Sequence, residues 1–196
     1  RLHWYYTNET TTPANATAFF NKASEVGTPS GSSNTYNETL GQYTITHSLA
    51  GYYANVVLML VTDTTSYKPI MISRYNHKSS NNGFSSAIYT GNNPSYSNRF
   101  TKGTPDTIVD AAFATGVNPN AKVMYYYTTS SASVSNVATF MVGYNDAVNT
   151  LKGIKDIVGY TVTLSCIPES KTYYIRIMVI DGYDCYKIHS VTRNVN

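Results

Sequence analysis

The last third of the chain holds the pattern that most constrains its fold. Thr172 to Ile180 and Tyr183 to Thr192 are two strand-like runs with only Asp181-Gly182 between them. Both turn residues tolerate positive φ, so the segment predicts a tight antiparallel hairpin. Tyr160 to Cys166 reads as a further strand just upstream. Earlier segments repeat the pattern. Tyr43 to Leu49 alternates, with Tyr43, Ile45, His47 and Leu49 on one side. Asn55 to Thr62 is a nearly continuous apolar run, as expected of a strand buried on both faces. Ile70 to Tyr75, Ser85 to Thr90, Lys122 to Thr128 and Val137 to Tyr144 complete the set, and Thr107 to Thr115 fits either a strand or a short helix. About nine short strands with polar loops between them predict an all-β fold, an Ig-like or pilin-like β-sandwich.

Two helices are expected beside the strands. Thr12 can cap the first, Pro13 suits its first turn and Gly27 its stop, with Ala16, Phe19, Phe20, Ala23 and Val26 on one face. The second is expected over Asp146 to Ile157, where Val148, Leu151 and Ile154 fall at helical spacing. No repeat and no linker divides the chain. The expected organisation is an extended arm over residues 1–12 and a single β-sandwich domain over residues 13–196.

Composition places this fold. The chain has 19 Tyr but only 14 Lys+Arg and 11 Asp+Glu in 196 residues, about half the charged fraction usual in soluble domains. Ser, Thr, Asn and Tyr solvate the surface instead, and they do so independently of pH. This points outside the cell. The dispersed cations and net charge of +3 give no phosphate-binding stripe, so nucleic acid is not an expected partner. The longest apolar run, near Val56 to Val61, falls far short of the ~20 residues of a membrane span. The chain begins at Arg1 without Met, which fits either a removed signal peptide or an excised fragment.

No catalytic signature competes with a structural role. His3, His47, His77 and His189 are not at ligand spacing, and HExxH, CxxC, EF-hand, GxSxG, Walker and dinucleotide motifs are absent. The expectation is a non-enzyme without metal or cofactor. Lys122 and Lys187 lie in strands where a covalent Lys–Asn or Lys–Asp crosslink could form, against the plainer reading that they reach solvent. Cys166 and Cys185 suit one disulfide in an oxidising compartment, or two small buried thiols. Asn8, Asn15 and Asn37 open the intact Asn-X-Thr acceptors, read as a glycosylated surface or as unused tripeptides. The clusters Tyr5-Tyr6, Tyr52-Tyr53, Tyr125-Tyr126-Tyr127 and Tyr173-Tyr174 read as scaffold, because strands send neighbours to opposite faces.

The arm carries the most specific expectation. Leu2, Trp4 and Tyr6 alternate as a free strand would, ready to complete the sheet of a neighbouring subunit. Arm, β domain, neutral polar surface, early glycan acceptors and one candidate disulfide together resemble the thread filament subunits of Sulfolobus-type archaea. Those are built like type I pilins and join head to tail by donor-strand complementation beneath heavy glycosylation. The resemblance implies an extracellular homopolymer of identical subunits with Leu2, Trp4 and Tyr6 as donor residues and Asn8, Asn15 and Asn37 as carriers of N-glycans. A second reading is a viral receptor-binding head or other glycan-binding β module, complete in itself.

Overall fold

The computed structural model describes residues 1–27, 30–45, 51–78, 89–90, 99–100, 105–109, 120–158, 161–166, 172–186 and 188–195. For residues 89–90, 99–100, 105–109, 161, 165–166 and 193–195 the description is of the backbone alone. The chain is all-β, with several sheets and, among the described residues, two short α-helices. It divides into two compact units, Arg1–Arg74 and Tyr75–Asn196. The amino-terminal strand, expected as an arm, is paired on both sides within the first unit.

The first unit runs β1 (Leu2–Thr7), α1 (Ala16–Val26), β2 (Ser30–Ser33), β3 (Tyr36–Asn37), β4 (Gln42–Tyr43), β5 (Asn55–Leu60) and β6 (Ile70–Ser73). Its main sheet has the antiparallel order β2-β1-β5-β6, and β3 and β4 form a separate two-stranded ribbon. α1 lies over one sheet face, where Tyr5, Phe19, Val57 and Met59 form the core. Asn15, not Thr12, caps this helix: its Oδ1 accepts the Ala18 amide at 2.9 Å. Pro13 lies before the first turn, while Gly27 ends the helix as expected, with a φ of 61°. β5 alternates buried and half-buried residues and is not buried on both faces. Of the strand expected over Tyr43 to Leu49, residues 46–50 lie outside the described residues, His47 among them.

The second unit adds β7 (Asn76–His77), β8 (Tyr89–Thr90), β9 (Arg99–Phe100), β10 (Pro105–Val109), β11 (Lys122–Thr128), α2 (Val137–Asp146), β12 (Lys152–Asp156), β13 (Thr161–Cys166), β14 (Thr172–Asp181), β15 (Asp184–Cys185) and β16 (His189–Val195). β11 pairs with β12 on one side and β14 on the other, and β14 pairs with both β15 and β16. β13, β10 and β8 make a smaller sheet. Side chains of alternate parity on β11 and β14 then face opposite layers. Val123, Tyr125, Tyr127, Ile175, Ile177 and Val179 share one core with Val162 and Leu164 of β13, the sandwich interior. Met124, Tyr126 and Met178 take the other parity and are also buried. On that face the Tyr126 ring meets Phe140 of α2 edge-on at 5.2 Å.

Two sequence expectations exchange places here. Val137 to Tyr144, expected as a strand, is helix α2, and most of the expected helix Asp146 to Ile157 is a 3-10 turn followed by β12. Nearly every residue from Val137 to Tyr144 is apolar, so periods of 2 and 3.6 fit equally. The deciding signal is the Asn136 carboxamide, which caps the helix by accepting the Thr139 amide at 2.8 Å. In β12, Gly153 admits the Tyr125 ring beside it, since a Cβ there would lie 2.9 Å from the Tyr125 hydroxyl. The final hairpin is present one residue later than expected: Asp181 pairs with Asp184, and the two-residue loop is Gly182-Tyr183, with a φ of 58° at Gly182.

Candidate functional site

β1 occupies an inner position. All six of its residues pair with β5, from Leu2 opposite Leu60 to Thr7 opposite Asn55, and Leu2 to Tyr5 also pair with Ser33 to Ser30 of β2. The strand therefore fills a slot between two neighbours that do not pair with each other. Both parities of its side chains are used. Tyr5 is 1 % exposed beneath α1, its ring 5.1 Å from Phe19. Trp4 is 5 % exposed on the opposite face, against Gly31 of β2. The expected donor set Leu2, Trp4 and Tyr6 thus shares one face, but Leu2 and Tyr6 are only half-buried. Tyr5 is the more deeply seated residue that alternation from Leu2 omitted; its signal was the helix predicted to follow, which needs a partner face.

Around the slot the apolar face continues. Trp4 pairs with Leu58 and Leu58 with Ile70, while Tyr6 pairs with Val56 and Val56 with Ile72. Ile70 and Ile72 are 55 % and 46 % exposed, so this row ends in open apolar surface. Tyr6 is held by Arg74, whose guanidinium lies 4.8 Å from the ring centre. Trp4 Nε1 and Tyr5 Oη are buried without a partner among the described residues. Each such group costs about 1–3 kcal/mol, which lowers the stability of the seated strand.

The segment after β1 is tied down at one place. The Asn8 carboxamide donates to the Tyr52 carbonyl at 3.1 Å and accepts the Ala54 amide at 2.8 Å. The Glu9 carbonyl accepts from Asn55 Nδ2 at 2.7 Å, and its carboxylate pairs with Lys22. Residues 10–14 then lead to α1 without strand or helix. Asn8 is thus half-buried and structural. Asn15 is an exposed helix cap, and Asn37 is exposed in the β3–β4 ribbon, where its Oδ1 accepts the Leu40 amide at 3.0 Å.

In the second unit, Cys185 is a buried free thiol. Burial first, and the charge of Asp184 second, push its pKa up to about 11. The Cys166 side chain, the other half of the expected disulfide, lies outside the described residues; its backbone is in the smaller sheet, opposite Pro105. Lys122 forms an exposed cross-strand ion pair with Asp156 and is solvated, as its plainer reading held. Lys187 lies outside the described residues. Among the described residues no three His, Cys, Asp or Glu side chains could hold a metal ion, and no helix is long and apolar enough to cross a membrane.

No protein-family model matches this chain, no curated protein matches it in sequence, and no solved structure matches it in fold.

Proposed function

We propose that this protein is the structural subunit of an extracellular surface filament and that identical subunits join by exchange of β1. The observation that carries the reading is the slot: β1 is hydrogen-bonded to β5 along its whole length and to β2 along most of it. Withdrawn, it would leave two unpaired strand edges and the spaces vacated by Trp4 and Tyr5. Such a gap is refilled most readily by the same strand from another copy, because backbone pairing and side-chain pockets are already matched. Residues 10–14 form the hinge, beyond the anchoring bonds of Asn8 and Glu9. The open apolar row ending at Ile70 and Ile72 offers contact surface to an adjoining subunit.

The neutral, Tyr-rich surface suits life outside the cell, and exposed Asn15 and Asn37 suit N-glycans on the finished fibre. A chain that polymerises in this way forms head-to-tail fibres, because the donor strand and the slot lie on the same molecule and each joint leaves one of each unsatisfied. Electron microscopy of concentrated protein tests this. Fibres from the full chain, and none after deletion of residues 1–7, are expected; fibres from both would place the joint elsewhere.

A further inference from the structure

We infer that the second unit carries a binding groove for an acidic sugar, built between α2 and the loop that leaves β11, with Arg176 at its floor. Arg176 lies in the middle of β14, opposite Tyr126, and is 3 % exposed. A guanidinium this deeply placed ordinarily meets a carboxylate, since burying a lone charge is costly. Here its hydrogen-bond partners are all neutral. Nη2 donates to the carbonyls of Ser130 and Ala132 at 2.9 and 2.6 Å, and Nη1 donates to the Ser190 hydroxyl. Nε has no partner among the described residues. The positive charge is therefore uncompensated by any ion pair among the described residues.

The space beside it is a groove of about 370 Å³, within the about 300–1,000 Å³ usual for small-molecule sites. Its lining combines Arg176 with the hydroxyls of Ser130, Ser133 and Thr139, the Asp146 carboxylate and the Tyr126 ring. That combination selects its ligand. A carboxylate on the ligand answers the guanidinium, and a charge-assisted hydrogen bond is about twice as strong as a neutral one. Ring hydroxyls answer the serines and the threonine, and Asp146, exposed at the end of α2, accepts from a sugar hydroxyl. A simple inorganic anion would leave those hydroxyls and Asp146 without a role. A uronic-acid type of sugar uses all of them. The inference stands independently of how subunits join.

Arginine side-chain NMR on the full-length protein tests it, with the Arg176 Nε–H signal followed during titration with methyl glucuronide. A saturable shift is expected, with the neutral methyl glucoside weaker by about tenfold or more because it lacks the charged acceptor. Arg176→Ala is a poor test, since it releases two loop carbonyls and can unfold the loop. Val142→Glu is better: Val142 is 44 % exposed on α2 and lines the groove, so the added charge repels a carboxylate without touching the core. Its expected effect is weaker glucuronide binding with an unchanged melting temperature. No saturable shift, equal midpoints for glucuronide and glucoside, or unaltered binding by Val142→Glu would each overturn the inference. So would an acetylated dipeptide that shifted the signal at lower concentration than the glucuronide.

Discussion

Trp4 lies directly against Gly31, its cross-strand partner: a Cβ on Gly31 would meet the indole Cζ2 at 2.7 Å. The glycine is the hollow into which the largest ring of β1 fits. Gly31→Ala should therefore destabilise the first unit by about 1–3 kcal/mol, the usual cost of overpacking, despite the better strand propensity of Ala. Trp4→Leu, which shortens the intruding ring, should recover part of that loss in a double-mutant cycle followed by denaturant unfolding. Strict additivity would mean that the two positions do not touch.

A second close approach seats α2 on the large sheet. A Cβ on Gly143 would lie 2.3 Å from the Tyr126 hydroxyl and 2.5 Å from Cζ. Alanine is ordinarily better than glycine within a helix by about 1 kcal/mol, but here the added methyl would displace the buried Tyr126 ring. Gly143→Ala is expected to lower the melting temperature. A rise would show that Tyr126 has room to move.

Stability should fall as pH rises above 9. Burial raises the pKa of Tyr126, and burial followed by the charge of Asp184 raises that of Cys185 to about 11 from an ordinary 9.0. The folded state therefore holds these protons more tightly than the unfolded state. Their stabilisation is complete below the unfolded pKa and is lost as pH rises through the folded one. For Cys185 the window is pH 9 to 11, with a slope of up to about 1.4 kcal/mol per pH unit for one proton. Denaturant titrations across this range should give a shallower fall for Cys185→Ala. An identical fall would indicate that Cys185 does not titrate, as in a disulfide with Cys166.

Glycan occupancy should follow the carboxamide geometry. Asn8 uses both ends of its side chain to hold residues 52–54, whereas Asn15 and Asn37 are exposed and, among the described residues, bond through Oδ1. Glycopeptide mass spectrometry of native material is expected to find Asn15 and Asn37 modified ahead of Asn8. Full occupancy of Asn8 would require that its two bonds are dispensable.

Several strands were legible in the sequence, though of the alternating run from Tyr43 to Leu49 only Tyr43 is strand among the described residues. Lys122 to Thr128 coincides with β11, and the final hairpin was placed to within one residue. Legibility failed where the apolar pattern had no single period. Val137 to Tyr144 satisfied both strand and helix, and only the Asn136 cap separates them. The arm was legible as a strand but not as an inner one, because alternation cannot tell a strand's own sheet from a neighbour's. Arg176 was the hardest to find: in sequence it is one cation within an apolar run, and its lack of an ion pair among the described residues shows only in three dimensions.

Whether β1 crosses between molecules is the central claim, and the pairing of Leu2 with Ser33 provides its most direct measurement. One chain carries Leu2→Cys and a second carries Ser33→Cys, both with Cys166 and Cys185 replaced by Ala. Refolded together and oxidised, the two should yield a disulfide-linked heterodimer, because the donor strand of one lies beside β2 of the other. A mixture that remains wholly unlinked, while a chain bearing both cysteines closes its own bridge, would show that β1 stays at home and would contradict strand exchange.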